Sequence, residues 1–177
     1  MLWSHLLIKS FRERRRGKII NISSRGATVN GIFCVSYGAA KAALVRATGC
    51  LQAELDMDGF SDIHVFALHP GATRTGIQKP IDADVAKIYP KGAEMYEKFC
   101  KQFKCKPSLC GQTCVFLATG QGRALAGRYF DCEQDVGYVS SMGDVIQEQN
   151  LYDLKVEFLG GLPNDGGSVP DSILDSL

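Results

Sequence analysis

The sequence predicts an α/β protein built on a parallel sheet. Three observations carry this. Short β-branched runs alternate with amphipathic stretches, each run stops at small polar residues or at Pro-Gly, and neither an internal repeat nor a second domain breaks the alternation. The 177 residues, 45% of them hydrophobic and 22% charged, suit one ordinary domain, expected over residues 1–159. After Gly160 the composition turns to Gly, Pro, Asp and Ser, so residues 160–177 are expected to form a loose tail.

Residues 1–16 read as the end of a helix, with Leu2, Leu6 and Phe11 apolar and Arg12, Arg14, Arg15 and Arg16 ahead of Gly17. Cations in a last turn and a glycine just past it are stop signals. Lys18-Ile19-Ile20-Asn21-Ile22-Ser23-Ser24 is a β-branched run expected as a buried strand feeding a loop. A helix is expected over residues 36–57, its buried stripe Ala40, Leu44, Ala47, Leu51 and Leu55, with Arg46, Gln52 and Glu54 on the surface. Ile63-His64-Val65-Phe66-Ala67-Leu68 is a second strand, ended sharply by His69-Pro70-Gly71. Residues 72–106 read as a loop carrying short amphipathic helices, with Met95, Phe99 and Phe103 at four-residue steps. Pro107 suits the first turn of another helix, which runs through Leu117 to a glycine stop at Gly120. Arg128-Tyr129-Phe130-Asp131-Cys132 is the third short strand.

Charge and composition exclude several function classes. With 20 Lys+Arg against 19 Asp+Glu, there is no bulk attraction to nucleic acid or anionic lipid. The arginines of residues 12–16 have no interleaved aromatic side chains for bases to stack on, so they read as a solvated helix end. No window approaches the ~20 consecutive apolar residues of a membrane span, and Met1–Ile8 is too short for a secretory signal. The chain is therefore read as cytoplasmic. Cys34, Cys50, Cys100, Cys105, Cys110, Cys114 and Cys132 are odd in number and form no C-x-x-C pair, so they are expected as free cysteines packing like small hydrophobes, with no metal site.

The chemistry lies where strands end. Tyr37 and Lys41 are four apart, so they share one face of the long helix. Ionising an ordinary phenol of pKa about 10 at pH 7 costs about 4 kcal/mol, and a nearby ammonium reduces that cost. A tyrosine so placed can exchange a proton with a carbonyl or hydroxyl oxygen. Ser24 sits where the preceding strand stops, and parallel sheets gather reacting groups at the carboxyl ends of their strands.

Ile19-Ile20-Asn21-Ile22-Ser23-Ser24, then Ser36-Tyr37-Gly38-Ala39-Ala40-Lys41, then His69-Pro70-Gly71-Ala72-Thr73-Arg74-Thr75, together resemble the short-chain dehydrogenase/reductase family in order and distance. The resemblance runs from about Met1 to about Val136, closest in flavour to the fungal-type oxidoreductases. It implies a partial Rossmann-like, doubly wound parallel sheet, the carboxyl-terminal half of that fold. It also implies NAD or NADP as cofactor and a small-molecule carbonyl or alcohol as substrate. Tyr37 would be the general acid/base, Ser24 would hold the reacting oxygen, and Lys41 would grip the nicotinamide ribose and favour the phenolate. Pro70, Gly71, Thr73 and Thr75 would line the nicotinamide, residues 76–106 would form the substrate lid, and the helix over residues 36–57 would pair subunits in a homo-oligomer.

The sequence departs from the family pattern in one region. The opening strand with its T-G-x-x-x-G-x-G turn, the N-N-A-G segment, the residue that separates NAD from NADP, and the catalytic asparagine have no counterparts. The chain is thus expected to be an N-terminally incomplete oxidoreductase, in which the strand Lys18-Ser23, interior in the family's sheet, becomes an edge. The alternative is a catalytically inactive interaction or dimerisation module.

Overall fold

The computed structural model describes residues 2–156. The expected tail of residues 160–177, and the boundary drawn at residue 159, lie outside the described residues. The elements run α1 Leu2–Arg14, β1 Gly17–Ile22, α2 Val35–Met57, β2 Ile63–His69, α3 Ala83–Ile88, α4 Pro90–Cys100, α5 Pro107–Ala118, β3 Tyr129–Asp131, α6 Val136–Ser141 and α7 Gly143–Glu148. The sheet has three strands in the order β1-β2-β3, all parallel, with Gly17 opposite Ile63, Ile22 opposite Leu68 and His69 opposite Asp131.

β2 is buried at every position, which is why its sequence is a near-continuous apolar run. Its side chains alternate between two cores. On one face Ile63 and Val65 meet Ile19 and Leu55, while Ala67 meets Ala27 and Val45, so α2 roofs this side. On the other, Phe66 and Leu68 pack with Leu117, Leu125, Phe130, Val139 and Ile146, contributed by α5, β3, α6 and α7 and by the turn before β3. Helices on both faces of a parallel sheet make the doubly wound arrangement that the family resemblance implies. No helix among the described residues is long and apolar enough to cross a membrane.

Five expectations need correction. β1 is not the buried strand its composition suggests but lies at an edge, as the absence of the family's preceding strands implies: only Ile19 is fully buried and Ile22 is 42% exposed, because β2 is its only strand neighbour among the described residues. α1 ends through Arg15, whose φ of 53° is left-handed, and Gly17 instead leaves room for the Phe11 ring. The buried stripe of α2 is Val45, Thr48, Gln52 and Leu55, with Leu44, Ala47 and Leu51 half-buried beside it and Ala40 exposed. Gln52, expected on the surface, lies inside because its side-chain amide completes β2: Oε1 accepts from the Val65 N–H at 2.8 Å and Nε2 donates to the Ile63 carbonyl at 3.2 Å. Finally, of the seven free thiols only Cys132 is fully buried, and Cys50 is exposed.

Candidate active site

Ser23 and Ser24 follow directly on β1. The Ser23 N–H donates to the Leu68 carbonyl at 2.7 Å and its hydroxyl to the Lys41 carbonyl at 3.2 Å, so the strand end is tied to β2 and α2 together. Ser24 is extended, and its Oγ accepts from the Gly26 N–H at 3.1 Å, capping a 3-10 turn over Arg25–Ala27. α2 starts hard against that turn. A Cβ on Gly38 would lie 2.9 Å from the Gly26 carbonyl oxygen, so a larger residue at 38 would push the helix away.

This close approach brings the Tyr37 ring to Gly26, the residue that Ser24 caps. A Cβ on Gly26 would sit 3.4 Å from Tyr37 Cε1 and 3.6 Å from Ser24 Oγ, so ring and hydroxyl flank the same glycine. Tyr37 is 40% exposed and therefore accessible. One turn along α2, the Lys41 ammonium donates to the Ile22 carbonyl at 2.8 Å and lies 5.7 Å from the Tyr37 ring centroid. Ser24, the Tyr37 ring and the Lys41 ammonium thus lie around the carboxyl end of β1.

The turn after β2 lies beside them, joined by the Arg25 N–H, which donates to His69 Nδ1 at 3.3 Å. Gly71 has φ 81°, and a Cβ there would collide with Cys105 Sγ at 2.5 Å and press Cys132 Sγ at 3.2 Å. The Cys105 N–H donates to the Ala72 carbonyl at 2.9 Å, holding the segment after α4 against the turn. Burial pushes the Cys132 thiol up to about 12, and burial with Cys114 nearby pushes Cys110 up to about 11, so both stay protonated at neutral pH. The Thr75 hydroxyl is engaged locally, 3.3 Å from Gln78 Oε1 and accepting from the Ile77 N–H at 3.3 Å. Thr73 Oγ1 and His69 Nε2 are buried without a hydrogen-bond partner.

Sequence reasoning passed over a charged group at this edge. The Arg25 guanidinium reaches Asp131 Oδ2 at 2.5 Å and Glu133 Oε2 at 2.9 Å, and Glu133 Oε1 accepts from the Ala72 N–H at 2.5 Å. That N–H bond, with Arg25, holds the Glu133 carboxyl below the usual range, and the Asp131 hydrogen bond raises the guanidinium further above its ordinary value. His69, Asp131 and Glu133 place ligand-type atoms within 4.8 Å of one another, but Arg25 already supplies the cation between the two carboxylates. The overlooked signal was two acidic residues just where β3 stops.

Burial holds the His64 and His69 imidazoles below their ordinary value. In the unfolded chain a histidine titrates near about 6.5, so there the unfolded state binds more protons than the folded one. Stability from these two residues is complete above about pH 6.5 and falls as pH drops towards about 5, by at most about 1.4 kcal/mol per pH unit for each histidine. Denaturant midpoints between pH 5 and 7.5 check this. His64→Gln should flatten the slope, and an unchanged slope would refute the assignment.

The family model for short chain dehydrogenases matches residues 1–86. A short chain dehydrogenase of Aspergillus terreus is 29% identical over 151 residues, covering 85% of this chain and 30% of that protein. The chain is thus similar to the short-chain dehydrogenases. The 2,3-dihydro-2,3-dihydroxybenzoate dehydrogenase of Bacillus subtilis is 32% identical over 127 residues, covering 67% of this chain and 46% of the relative. Among solved structures, a 3-oxoacyl-[acyl-carrier protein] reductase from Brucella melitensis aligns with a TM-score of 0.53 at 25% identity, over 72% of this chain and 45% of that one. A 7α-hydroxysteroid dehydrogenase complexed with NADH and 7-oxo glycochenodeoxycholic acid shares the fold, with a TM-score of 0.54 at 19% identity, over 76% and 48% of the two chains. The chain spans less than half the length of each of these short-chain dehydrogenases and reductases.

Proposed function

We propose that this chain carries the proton-transfer half of an NAD(P)-dependent oxidoreductase that interconverts a small carbonyl compound and its alcohol. The observation that supports it most is the meeting of the Tyr37 ring and the Ser24 hydroxyl across Gly26, with the Lys41 ammonium one turn away. In this reading a bound nicotinamide supplies or accepts the hydride. The Tyr37 hydroxyl gives a proton to the substrate oxygen in reduction and takes it back in oxidation, and the Ser24 hydroxyl donates a hydrogen bond to that oxygen. Lys41, with Pro70, Gly71, Thr73 and Thr75, holds the cofactor.

The buried Thr73 Oγ1 and His69 Nε2, both without partners, fit a turn meant to face a polar group. The relatives, named as dehydrogenases, give the inactive-module alternative no support. A cytoplasmic setting, and self-association through α2, belong to the same proposal.

The sequence has no T-G-x-x-x-G-x-G turn to receive a pyrophosphate on a helix N-terminus, so cofactor affinity of this chain alone is expected to be weak, about millimolar. Titration of the purified chain with NADH and NADPH, followed by nicotinamide fluorescence, tests this; saturable micromolar binding would refute it. Reduction of a panel of small aldehydes and ketones at saturating cofactor tests the activity itself. Turnover is expected, and its absence with both cofactors would overturn the proposed function.

A further inference from the structure

The charged group at the sheet edge is larger than ion pairing requires. Arg25 follows Ser24 directly, and its own N–H and guanidinium contact the ends of both other strands: His69 closes β2, and Asp131 closes β3. Glu133 carries the connection on to the Ala72 N–H, and the Glu133 N–H returns to Asp131 Oδ1 at 3.0 Å. Arg25 therefore joins the Ser24 turn to the end of β2 through its backbone N–H and to the segment after β3 through its guanidinium, and Glu133 extends the link to the Pro70–Thr75 turn. Asp131 is nearly buried and Arg25 is its cation, whereas Arg25 is itself half-exposed and could have stayed in water.

We propose that Arg25 is a positioning residue, which ties the three strand ends together and so sets the Ser24 hydroxyl against the Tyr37 ring. The inference rests on the proposed function for its catalytic meaning, but its geometry can be read without any turnover. Without the guanidinium, the Arg25–Ala27 turn loses its side-chain tether to the segment after β3. Ser24, which caps that turn, moves with it. A lysine offers one of the two ion pairs as a point charge and should restore part of the arrangement.

The test is magnetic resonance on the isotope-labelled full chain and on its Arg25→Met and Arg25→Lys variants. In the wild type, cross-peaks between the Tyr37 ring and Gly26 Hα are expected. Arg25→Met should lose them while keeping those between Ile19 and Val65, which report the β1–β2 pairing. Arg25→Lys should retain them in part. The His69 imidazole gives a second reading. Asp131 and Glu133 face it from the segment at the end of β3, and Arg25 faces it from the turn after β1. Removing the guanidinium, whose charge opposes protonation of the imidazole, should move its titration to higher pH.

Persistent Tyr37–Gly26 cross-peaks in Arg25→Met, or a lowered melting temperature with both readings unchanged, would overturn the proposal. Should Arg25→Met fail to fold, Glu133→Gln removes only the outer ion pair and should weaken the same cross-peaks; unchanged cross-peaks would again overturn it. Where the wild type turns over, Arg25→Met should lower kcat by about 10–100-fold with the cofactor KM little changed. An unchanged kcat would count against the positioning role. A wild type without turnover would sink the proposed function alone, because the cross-peaks still decide the role of Arg25.

Discussion

Tyr37→Phe is expected to lower carbonyl turnover by about 10²–10⁴-fold, the span that a positioned proton donor contributes. The loss should appear equally in kcat and kcat/KM, because the hydroxyl acts as the substrate oxygen gains or loses its proton rather than in binding the ground state. Cofactor affinity should stay nearly constant, since the ring that borders Gly26 remains and Lys41 keeps its bond to the Ile22 carbonyl. Stability should also hold, within about 0.5 kcal/mol, as the side chain is 40% exposed. Steady-state kinetics beside thermal melting checks both halves. A variant that kept more than about a tenth of wild-type turnover would show that Tyr37 is not the general acid/base. Lys41→Met should fall in the same direction with an added loss of cofactor affinity, and that split separates the two residues.

Much of this site was legible in the sequence because its parts are local. Tyr37 and Lys41 share a helix face by their spacing alone, and Ser24 follows a β-branched run that could only be a strand end. β2 was legible for the opposite reason: a strand buried on both faces writes a continuous apolar run. What escaped depends on contacts distant in sequence. Arg25 meets Asp131 across 106 residues, and although two acidic residues stand where β3 stops, nothing in the sequence says which cation they meet. The six-residue helices α6 and α7 are too short for periodicity to register, although Asp135 caps the first by accepting from the Tyr138 N–H. β1 reads as buried because Ile19, Ile20 and Ile22 are apolar, yet its burial depends on how many strands lie beside it.

Gln52 is the most instructive of the misread residues, and its replacement by leucine is expected to cost about 2–4 kcal/mol. β3 is short. It pairs with β2 only from Ala67 to His69, leaving the first half of β2 with no strand on that side. Gly127, ahead of β3, donates to the Val65 carbonyl at 2.7 Å, but the Val65 N–H and the Ile63 carbonyl are left for α2 to satisfy. A side-chain amide, with one donor and one acceptor side by side, imitates the missing strand; Nε2 also reaches Asp56 Oδ1 at 2.9 Å. Leucine has similar bulk but neither group, so it would orphan a buried N–H and a buried carbonyl, at about 1–2 kcal/mol each. The midpoint of thermal unfolding should drop by about 5–15 °C for a chain of this size. Gln52→Glu separates hydrogen bonding from packing. Its carboxylate still accepts from Val65 but must be buried beside Asp56, so its folded-state pKa is raised and it binds more protons folded than unfolded. Relative to the wild type, Gln52→Glu should therefore recover stability as pH falls towards 5, whereas Gln52→Leu should show a deficit independent of pH. A leucine variant as stable as the wild type would mean that the Val65 N–H finds another partner, and that β2 does not need α2 to complete its hydrogen bonding.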